Sequence, residues 1–171
     1  MPEPEPIVPA NSSATTADTT ATIPSSDHVV AQDDPRAQRK TIRVVGAAIV
    51  RDGTVLCAQR GGGKALDGFW EFPGGKIEPH ETPREALHRE IEEELLCEVD
   101  VADEVCTTAQ PYDFGTVELT TFICHLTSGT PRLTEHHQIR WLTPASMPSL
   151  DWAPADREAV SLITTMDLTR R

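Results

Sequence analysis

The chain has 171 residues, of which 27 are acidic and 15 are lysine or arginine, so its formal net charge is −12. This length is enough for one domain with its own hydrophobic core. The acidic balance argues against DNA or RNA polymers as partners, because their phosphates need a basic surface. A small nucleotide remains compatible with it, since a metal ion can carry the positive charge.

The four cysteines (Cys57, Cys97, Cys106 and Cys124) are scattered and form no C-x-x-C pair. This spacing favours buried, reduced thiols over zinc ligands or disulfides. No apolar run approaches the ~20 residues of a membrane span, and the N-terminus lacks the basic start and apolar run of a secretory signal. We therefore expect a cytoplasmic protein with no membrane partner.

Residues 1–40 differ in composition from the rest of the chain. They open with Pro-Glu-Pro-Glu-Pro, continue rich in Ser, Thr and Ala, and contain no aromatic residue. This pattern predicts a disordered tail, with a partner-binding tail as the alternative. The folded domain is then expected over residues 41–171.

Two strands open the domain. The apolar run 41–50 predicts a strand buried on both faces, Asp52-Gly53 is a hairpin signal, and residues 54–60 predict the returning strand. Residues 68–72 (GFWEF) have a further strand pattern. Glu71 lies among three aromatic residues there, so it is either an acceptor for the exocyclic amine of a base or an outward-facing strand acid.

A helix start follows the Gly-rich turn at residues 73–75. Thr82 suits the N-cap, Pro83 suits the first helical position, and Glu85 completes a capping box. These three residues predict a helix that begins at this point.

Three acids project from one face of that helix. Glu90, Glu93 and Glu94 have i, i+3 and i+4 spacing, so their carboxylates are neighbours that repel one another. A solvated acidic face is one interpretation. The alternative is a Mg²⁺ or Mn²⁺ site, because clustered hard oxygens suit these ions.

The remainder of the chain is predicted as strands followed by a helix. His136 and His137 are adjacent on the last predicted strand and would point to opposite faces, which disfavours a shared transition-metal site. We expect strands over 98–101, 104–109, 116–126 and 135–142, a turn at 111–115, and a C-terminal helix to about Met166.

The segment from Gly75 to Cys97 resembles the 23-residue signature of the Nudix hydrolase family, G-x5-E-x7-R-E-U-x-E-E-x-G-U, where U is a bulky apolar residue. Leu96 replaces the family's Gly, and Cys97 occupies the last apolar position. Gly would supply a left-handed cap, so Leu96 in that conformation costs roughly 1 kcal/mol, unless the helix ends differently. The matching residues are Gly75, Glu81, Arg89, Glu90, Ile91, Glu93 and Glu94.

The resemblance covers roughly residues 42–163 and implies an α/β fold, the Nudix α/β/α sandwich with a mixed sheet. The pattern GxWEFPGGK, then EH, then PAD is similar to MutT-type enzymes. These hydrolyse (deoxy)nucleoside triphosphates, either oxidised purines such as 8-oxo-dGTP or CTP and dCTP, to monophosphate and pyrophosphate. The alternatives are hydrolysis of ADP-ribose or dinucleoside polyphosphates, and a non-catalytic nucleotide-sensing module.

The resemblance also implies a metal site and catalytic roles. Glu90, Glu93 and Glu94, with the Gly74 carbonyl, would hold Mg²⁺, with Mn²⁺ as the alternative. Glu90, Glu94 or Glu135 would deprotonate the attacking water, a choice that the sequence leaves open. Arg89 would orient the glutamates.

Four further residues are implied as substrate contacts. Arg60 and Lys76 would stabilise charge on the phosphates, and Glu71 would read the base. Asp156 joins them because Pro154-Ala155-Asp156 matches a base-reading triplet of the MutT-type branch. The expected partner is a small nucleotide, and we expect a monomer or a weak homodimer.

Overall fold

The computed structural model describes residues 40–63, 65–132, 134 and 136–168. Residues 1–39 of the predicted N-terminal tail and Glu135 lie outside these residues. Neither helix of the described residues has the length and apolar composition that a membrane span requires.

Seven strands and two α-helices make up the described part of the domain. Two 3₁₀ segments, Pro144–Ser149 and Pro154–Asp156, precede the second helix. The elements are β1 (Thr41–Arg51), β2 (Thr54–Gln59), β3 (Trp70–Glu71), β4 (Gly74–Lys76), α1 (Pro83–Leu95), β5 (Glu98–Tyr112), β6 (Gly115–Ser128), β7 (Gln138–Leu142) and α2 (Arg157–Ile163).

The strands form one mixed sheet around β1. Its order is β3-β2-β1-β6-β5, with β4 paired to β1 and β7 paired to β2. β1 and β6 run parallel, whereas the other pairs are antiparallel. The mixed sheet that the family resemblance implied is therefore confirmed.

β1 is buried on both faces over residues 45–50, as its apolar run predicted, whereas residues 41–44 of that run are exposed or half-buried. Val45, Ala47 and Ile49 contribute to the core beneath α1, whereas Ala48 and Val50 contribute to the core beneath α2. Since alternate residues of a strand point to opposite faces, this one strand supplies side chains to both layers. The helices therefore cover the two faces of the sheet, which confirms the α/β/α sandwich.

The predicted start of α1 is also confirmed. The Thr82 hydroxyl accepts a hydrogen bond from the Glu85 amide at 3.2 Å, and the Glu85 carboxylate accepts one from the Thr82 amide at 2.8 Å. Pro83 occupies the first turn. This reciprocal capping box fixes where the acidic face of α1 begins.

Several element boundaries differ from those predicted. β5 is one long strand, whereas two pieces were predicted. Its pairing with β6 is irregular after Val101 and around Glu104, and this irregularity interrupts the alternation of side chains from which strands are predicted. The Gly-rich turn continues as β4. A Cβ at Gly74 would collide with the Val45 carbonyl, so glycine is what allows this pairing. The C-terminal helix ends at Ile163, earlier than expected.

α1 ends in a left-handed residue, one of the two alternatives drawn from the sequence. Leu96 has φ 54° and ψ 39°, and its amide donates to the Glu92 carbonyl at 3.1 Å. Its side chain is 56% exposed. The backbone strain of a left-handed Leu is therefore not offset by much burial.

Replacing Leu96 with glycine should stabilise the protein. Glycine relieves the left-handed strain but gives the unfolded chain more entropy, so we expect a net gain of about 0.5–1 kcal/mol in the free energy of unfolding. Urea denaturation measures this. Leu96→Ala retains a Cβ and serves as the control, with no gain expected. A Leu96→Gly variant no more stable than Leu96→Ala would contradict the explanation.

Candidate active site

β4 lies so close to α1 that glycine is required at the contact. A Cβ on Gly75 would overlap the carboxyl group of Glu90. Gly75 pairs with Val45 of β1, and the buried face of α1 packs on the same strand. The fold therefore presses the Glu90 carboxylate directly against the backbone of β4.

Arg89 connects this contact to the start of the helix. It donates to both Glu81 carboxylate oxygens, at 2.7 and 2.9 Å, to Glu90 at 2.9 Å, and to the Lys76 carbonyl at 3.0 Å. The hydrogen bond from Arg89, followed by that from the Glu78 amide, lowers the pKa of Glu81 to about 2. Arg89 thus favours the charged form of Glu81 and ties α1 to β4.

The other two acids of the motif differ in exposure. The Glu93 side chain is 62% exposed and lies 3.6 Å from Arg89, whereas Glu94 lines a cleft with Gly74, Gly75 and Lys76. In the described part of the chain, no three Asp, Glu, His or Cys side chains converge as a formed metal site. The donor set nevertheless fits a hard divalent cation, because it offers carboxylate oxygens beside a glycine backbone and no soft ligand.

Two adjoining clefts open beside β4 and share six residues: Val44, Arg60, Glu71, Gly74, Gly75 and Lys76. The polar cleft adds Glu94, His136 and Gly61. The apolar cleft is lined further by Ile42, Leu66, Phe72, Tyr112, Phe114, Val117, Leu119, Ala155 and Asp156. A ligand with one charged and one apolar part fits such a pair of clefts.

Glu71 lies where the two clefts meet. Its Oε2 accepts a hydrogen bond from Arg60, and its Oε1 lies 3.2 Å from Nε2 of His136. Burial lowers the pKa of His136, but the Glu71 hydrogen bond and the charges of Glu94 and Glu71 outweigh that effect and raise it overall. Glu71 is therefore not a solvated strand acid, and its role in reading a base stays a prediction.

Asp156 forms the inner end of the apolar cleft. Its side chain is buried, and Oδ1 accepts a hydrogen bond from the Phe72 amide at 3.0 Å. Residues 151–153 pair with β3, since the Trp70 amide donates to the Asp151 carbonyl and the Ala153 amide donates to the Trp70 carbonyl. Burial raises the pKa of Asp156 to about 8, although the Phe72 amide opposes this shift.

An aromatic pair at the β5–β6 turn lines the apolar cleft and was not identified as part of the site from the sequence. The rings of Tyr112 and Phe114 stack with centroids 5.1 Å apart and an angle of 4° between their planes. Phe114 is 53% exposed, and the Tyr112 hydroxyl accepts from the Ala155 amide at 3.3 Å. The exposed ring face suits stacking with a planar group.

The fold therefore brings most of the predicted site residues together. Arg60, Glu71 and Lys76 line both clefts, while Glu94 and Asp156 line one each. Glu135 lies outside the described residues. From the sequence, His136 was considered as a metal ligand and as part of the EH pattern, with no role of its own in the site. The signal that could have identified it is its position next to an acid, immediately before a strand.

Comparisons with known proteins cover this region. The family model of the NUDIX domain matches residues 40–163, which include both helices and every described site residue. A Mycobacterium tuberculosis (strain H37Rv) protein, provisionally named 8-oxo-dGTP diphosphatase 2, is 43% identical over 121 residues, or 67% of this chain and 82% of that protein. The CTP pyrophosphohydrolase of Escherichia coli K12 is 38% identical over 117 residues, or 68% of this chain and 87% of that protein.

Solved structures with the same architecture include two bacterial proteins. The solution structure of the DNA mismatch repair protein MutT from methicillin-resistant Staphylococcus aureus 252, a Nudix hydrolase, matches with a TM-score of 0.64 and 51% identity, covering 74% of this chain and 98% of that one. The solution structure of the E. coli ORF135 protein matches with a TM-score of 0.64 and 36% identity, covering 75% of this chain and 91% of that one.

Burial of Asp156 should make stability depend on pH. Its pKa is raised from 3.8 to about 8, so the folded protein retains a proton that the unfolded chain releases above pH ~4. The stabilisation is complete below that pH and is lost as the pH rises towards 8. Relative to Asp156→Asn, the wild-type free energy of unfolding should fall by up to about 1.4 kcal/mol per pH unit in this window.

Urea denaturation of both proteins at several pH values between about 5 and about 8 measures this difference. Asn retains the oxygen that accepts from the Phe72 amide but cannot ionise. Parallel stability profiles for the two proteins would show that Asp156 does not bind its proton unusually tightly.

Proposed function

The chain belongs to the NUDIX family and is an enzyme that acts on phosphorus-containing anhydrides, and we propose that it hydrolyses (deoxy)nucleoside triphosphates to monophosphate and pyrophosphate with Mg²⁺. The proposed substrate is an oxidised purine nucleotide such as 8-oxo-dGTP, or CTP and dCTP. The proposed role is sanitation of the nucleotide pool in the cytoplasm.

One observation carries this proposal. Glu94 of α1 and the glycine backbone of β4 line a polar cleft, and that cleft adjoins an apolar one that is lined by the buried Asp156. A nucleoside triphosphate has the matching order of parts, with charged phosphates at one end and an aromatic base at the other. The names of the relatives, which refer to 8-oxo-dGTP and CTP, support the same class of substrate.

Nudix hydrolases generally use divalent metal ions, and we assign Mg²⁺ here to Glu90, Glu93, Glu94 and the Gly74 carbonyl, with Mn²⁺ as the alternative. When bound, such an ion neutralises phosphate charge and lowers the pKa of a coordinated water. Arg89 now holds Glu90 and Glu81 at this position. We therefore assign Arg89 to positioning the glutamates.

The chain's own residues supply the rest of the mechanism. Arg60 and Lys76 line both clefts, so we assign them to orienting the phosphates and stabilising the charge that develops on them. Glu94 lies in the polar cleft and is our first choice as the base that takes a proton from the attacking water. Glu90 and Glu135 remain the alternative bases.

We assign recognition of the base to Asp156, with Phe114 offering a ring on which the base can stack. A neutral carboxyl donates through its O–H and accepts through its carbonyl oxygen, whereas an ionised one only accepts. The raised pKa of Asp156 supports the neutral form at neutral pH. Glu71 contacts the same cleft but is engaged by Arg60 and His136.

Removing the proposed metal ligands should abolish turnover. Glu93→Gln and Glu94→Gln retain side-chain size but lose charge, so we expect the Mg²⁺-dependent kcat to fall at least ~100-fold in each. Steady-state pyrophosphate release from 8-oxo-dGTP and from CTP measures this. Glu92→Gln is the matched control, because Glu92 is an exposed acid of the same helix with no assigned role. Wild-type rates in both variants would refute the metal assignment.

Asp156 should determine which base is accepted. If it hydrogen-bonds the base in a desolvated cleft, Asp156→Asn should lower kcat/KM for the preferred triphosphate roughly 10-fold or more and narrow the discrimination between bases. The measurement is kcat/KM for several triphosphates, with Asp151→Asn as an exposed control. If the ratios of kcat/KM between triphosphates with different bases are unchanged in Asp156→Asn, Asp156 does not recognise the base.

A further inference from the structure

We propose that His136 is a positioning residue that fixes the Glu71 carboxylate and, through it, the Arg60 guanidinium where the two clefts meet. The proposal rests on the proposed function, because it assigns His136 a part in binding the same nucleotide. It gives a function to a buried histidine that the mechanism above does not use.

Neighbouring histidines at this point occupy different environments. The His136 side chain is 5% exposed and reaches Glu71 through Nε2. The His137 side chain is 56% exposed and lies 3.3 Å from Asp67. A Cβ on Gly61 would collide with the His137 ring, so His137 covers the outer loop while His136 turns inward.

Burying His136 costs free energy that a residue with only a packing role would not need to lose. Its Nδ1 is buried and has no hydrogen-bond partner among the residues that the structure describes. Burying a polar nitrogen without a partner opposes folding, and an apolar side chain of similar size would avoid that penalty. The contact with Glu71 is the interaction that a histidine supplies here and an apolar residue cannot.

Glu71 transmits the effect of His136 to the substrate. Since its two oxygens are held by different partners, Oε2 by Arg60 and Oε1 by His136, the carboxylate cannot rotate without breaking one of these contacts. Arg60 is also held by the Ala65 carbonyl at 3.0 Å. The guanidinium is therefore kept in one orientation while it lines both clefts.

Loss of the His136 contact leaves Glu71 attached to Arg60 alone. The Glu71 carboxylate can then rotate. The Arg60 guanidinium keeps the hydrogen bond from its Nε to the Ala65 carbonyl but can turn about that contact, so it meets the nucleotide in several orientations instead of one. The expected consequence is weaker substrate binding, which raises KM, with a smaller change in kcat. A purely structural role would lower stability without raising KM more than it changes kcat.

The test uses three single variants of the full-length chain. His136→Ala removes the contact and should raise KM for 8-oxo-dGTP and CTP about 10-fold. His136→Gln places an amide N–H near the position of Nε2 and should keep KM close to the wild-type value. His137→Ala is the matched control, with wild-type constants expected.

A double-mutant cycle then separates positioning from packing. If His136 acts through Glu71, His136→Ala should change KM less than about 2-fold in a Glu71→Ala background. An equal rise in KM in both backgrounds would overturn the proposal, as would wild-type values of KM and kcat for His136→Ala. If His136→Ala does not fold, His136→Gln is compared with wild type instead. A KM raised 10-fold or more in a folded His136→Gln variant would overturn the proposal, because the glutamine amide is expected to replace the contact of Nε2.

Calorimetric binding of CMP and 8-oxo-dGMP distinguishes the failure of this proposal from the failure of the proposed function. A wild-type protein that turns over triphosphates, together with an unaffected His136→Ala, refutes only the role of His136. A wild-type protein that binds nucleotide without turnover refutes the reaction, and weaker binding by His136→Ala then still supports the positioning role. Absence of both turnover and binding refutes both.

Discussion

The site depends on the direct contact between the Glu90 carboxylate and the backbone of Gly75. This contact exists because β4 has no side chain at that position and pairs with β1, while the apolar face of α1 packs against the same strand. A larger residue at position 75 would separate helix from strand. Arg89 secures the contact through its hydrogen bonds to Glu90, Glu81 and the Lys76 carbonyl.

The two clefts follow from the same arrangement. β4 forms the floor that they share, β3 brings Glu71 to their junction, and the residues paired with β3 lead the chain to Asp156. The two ends of this arrangement differ in charge. The acids of α1 lie at one end, and Asp156, whose burial favours the neutral form of its carboxyl group, lies at the other. In our proposal, the polar cleft binds the phosphates and the apolar cleft binds the base.

The sequence predicted the fold where local signals were strong. The capping box and the doubly buried β1 could be read from residue types and spacing, whereas the αL alternative for Leu96 came from the resemblance to the Nudix signature. The signature motif also identified the acids and Arg89. It could not reveal that Glu71 is shared by Arg60 and His136, or that Phe114 faces the cleft beside Asp156. The contact of His136 with Glu71 and the cleft shared by Phe114 and Asp156 join elements far apart in the chain, which no local pattern brings together.

The most direct test of the account is pyrophosphate release from dCTP, CTP, 8-oxo-dGTP, dGTP and ADP-ribose, each with and without Mg²⁺. The account predicts monophosphate and pyrophosphate from one or two of the triphosphates, only with the metal ion. Hydrolysis of ADP-ribose alone would contradict the assignment of the clefts to a nucleoside triphosphate. No hydrolysis of any compound would contradict the catalytic reading of the α1 acids.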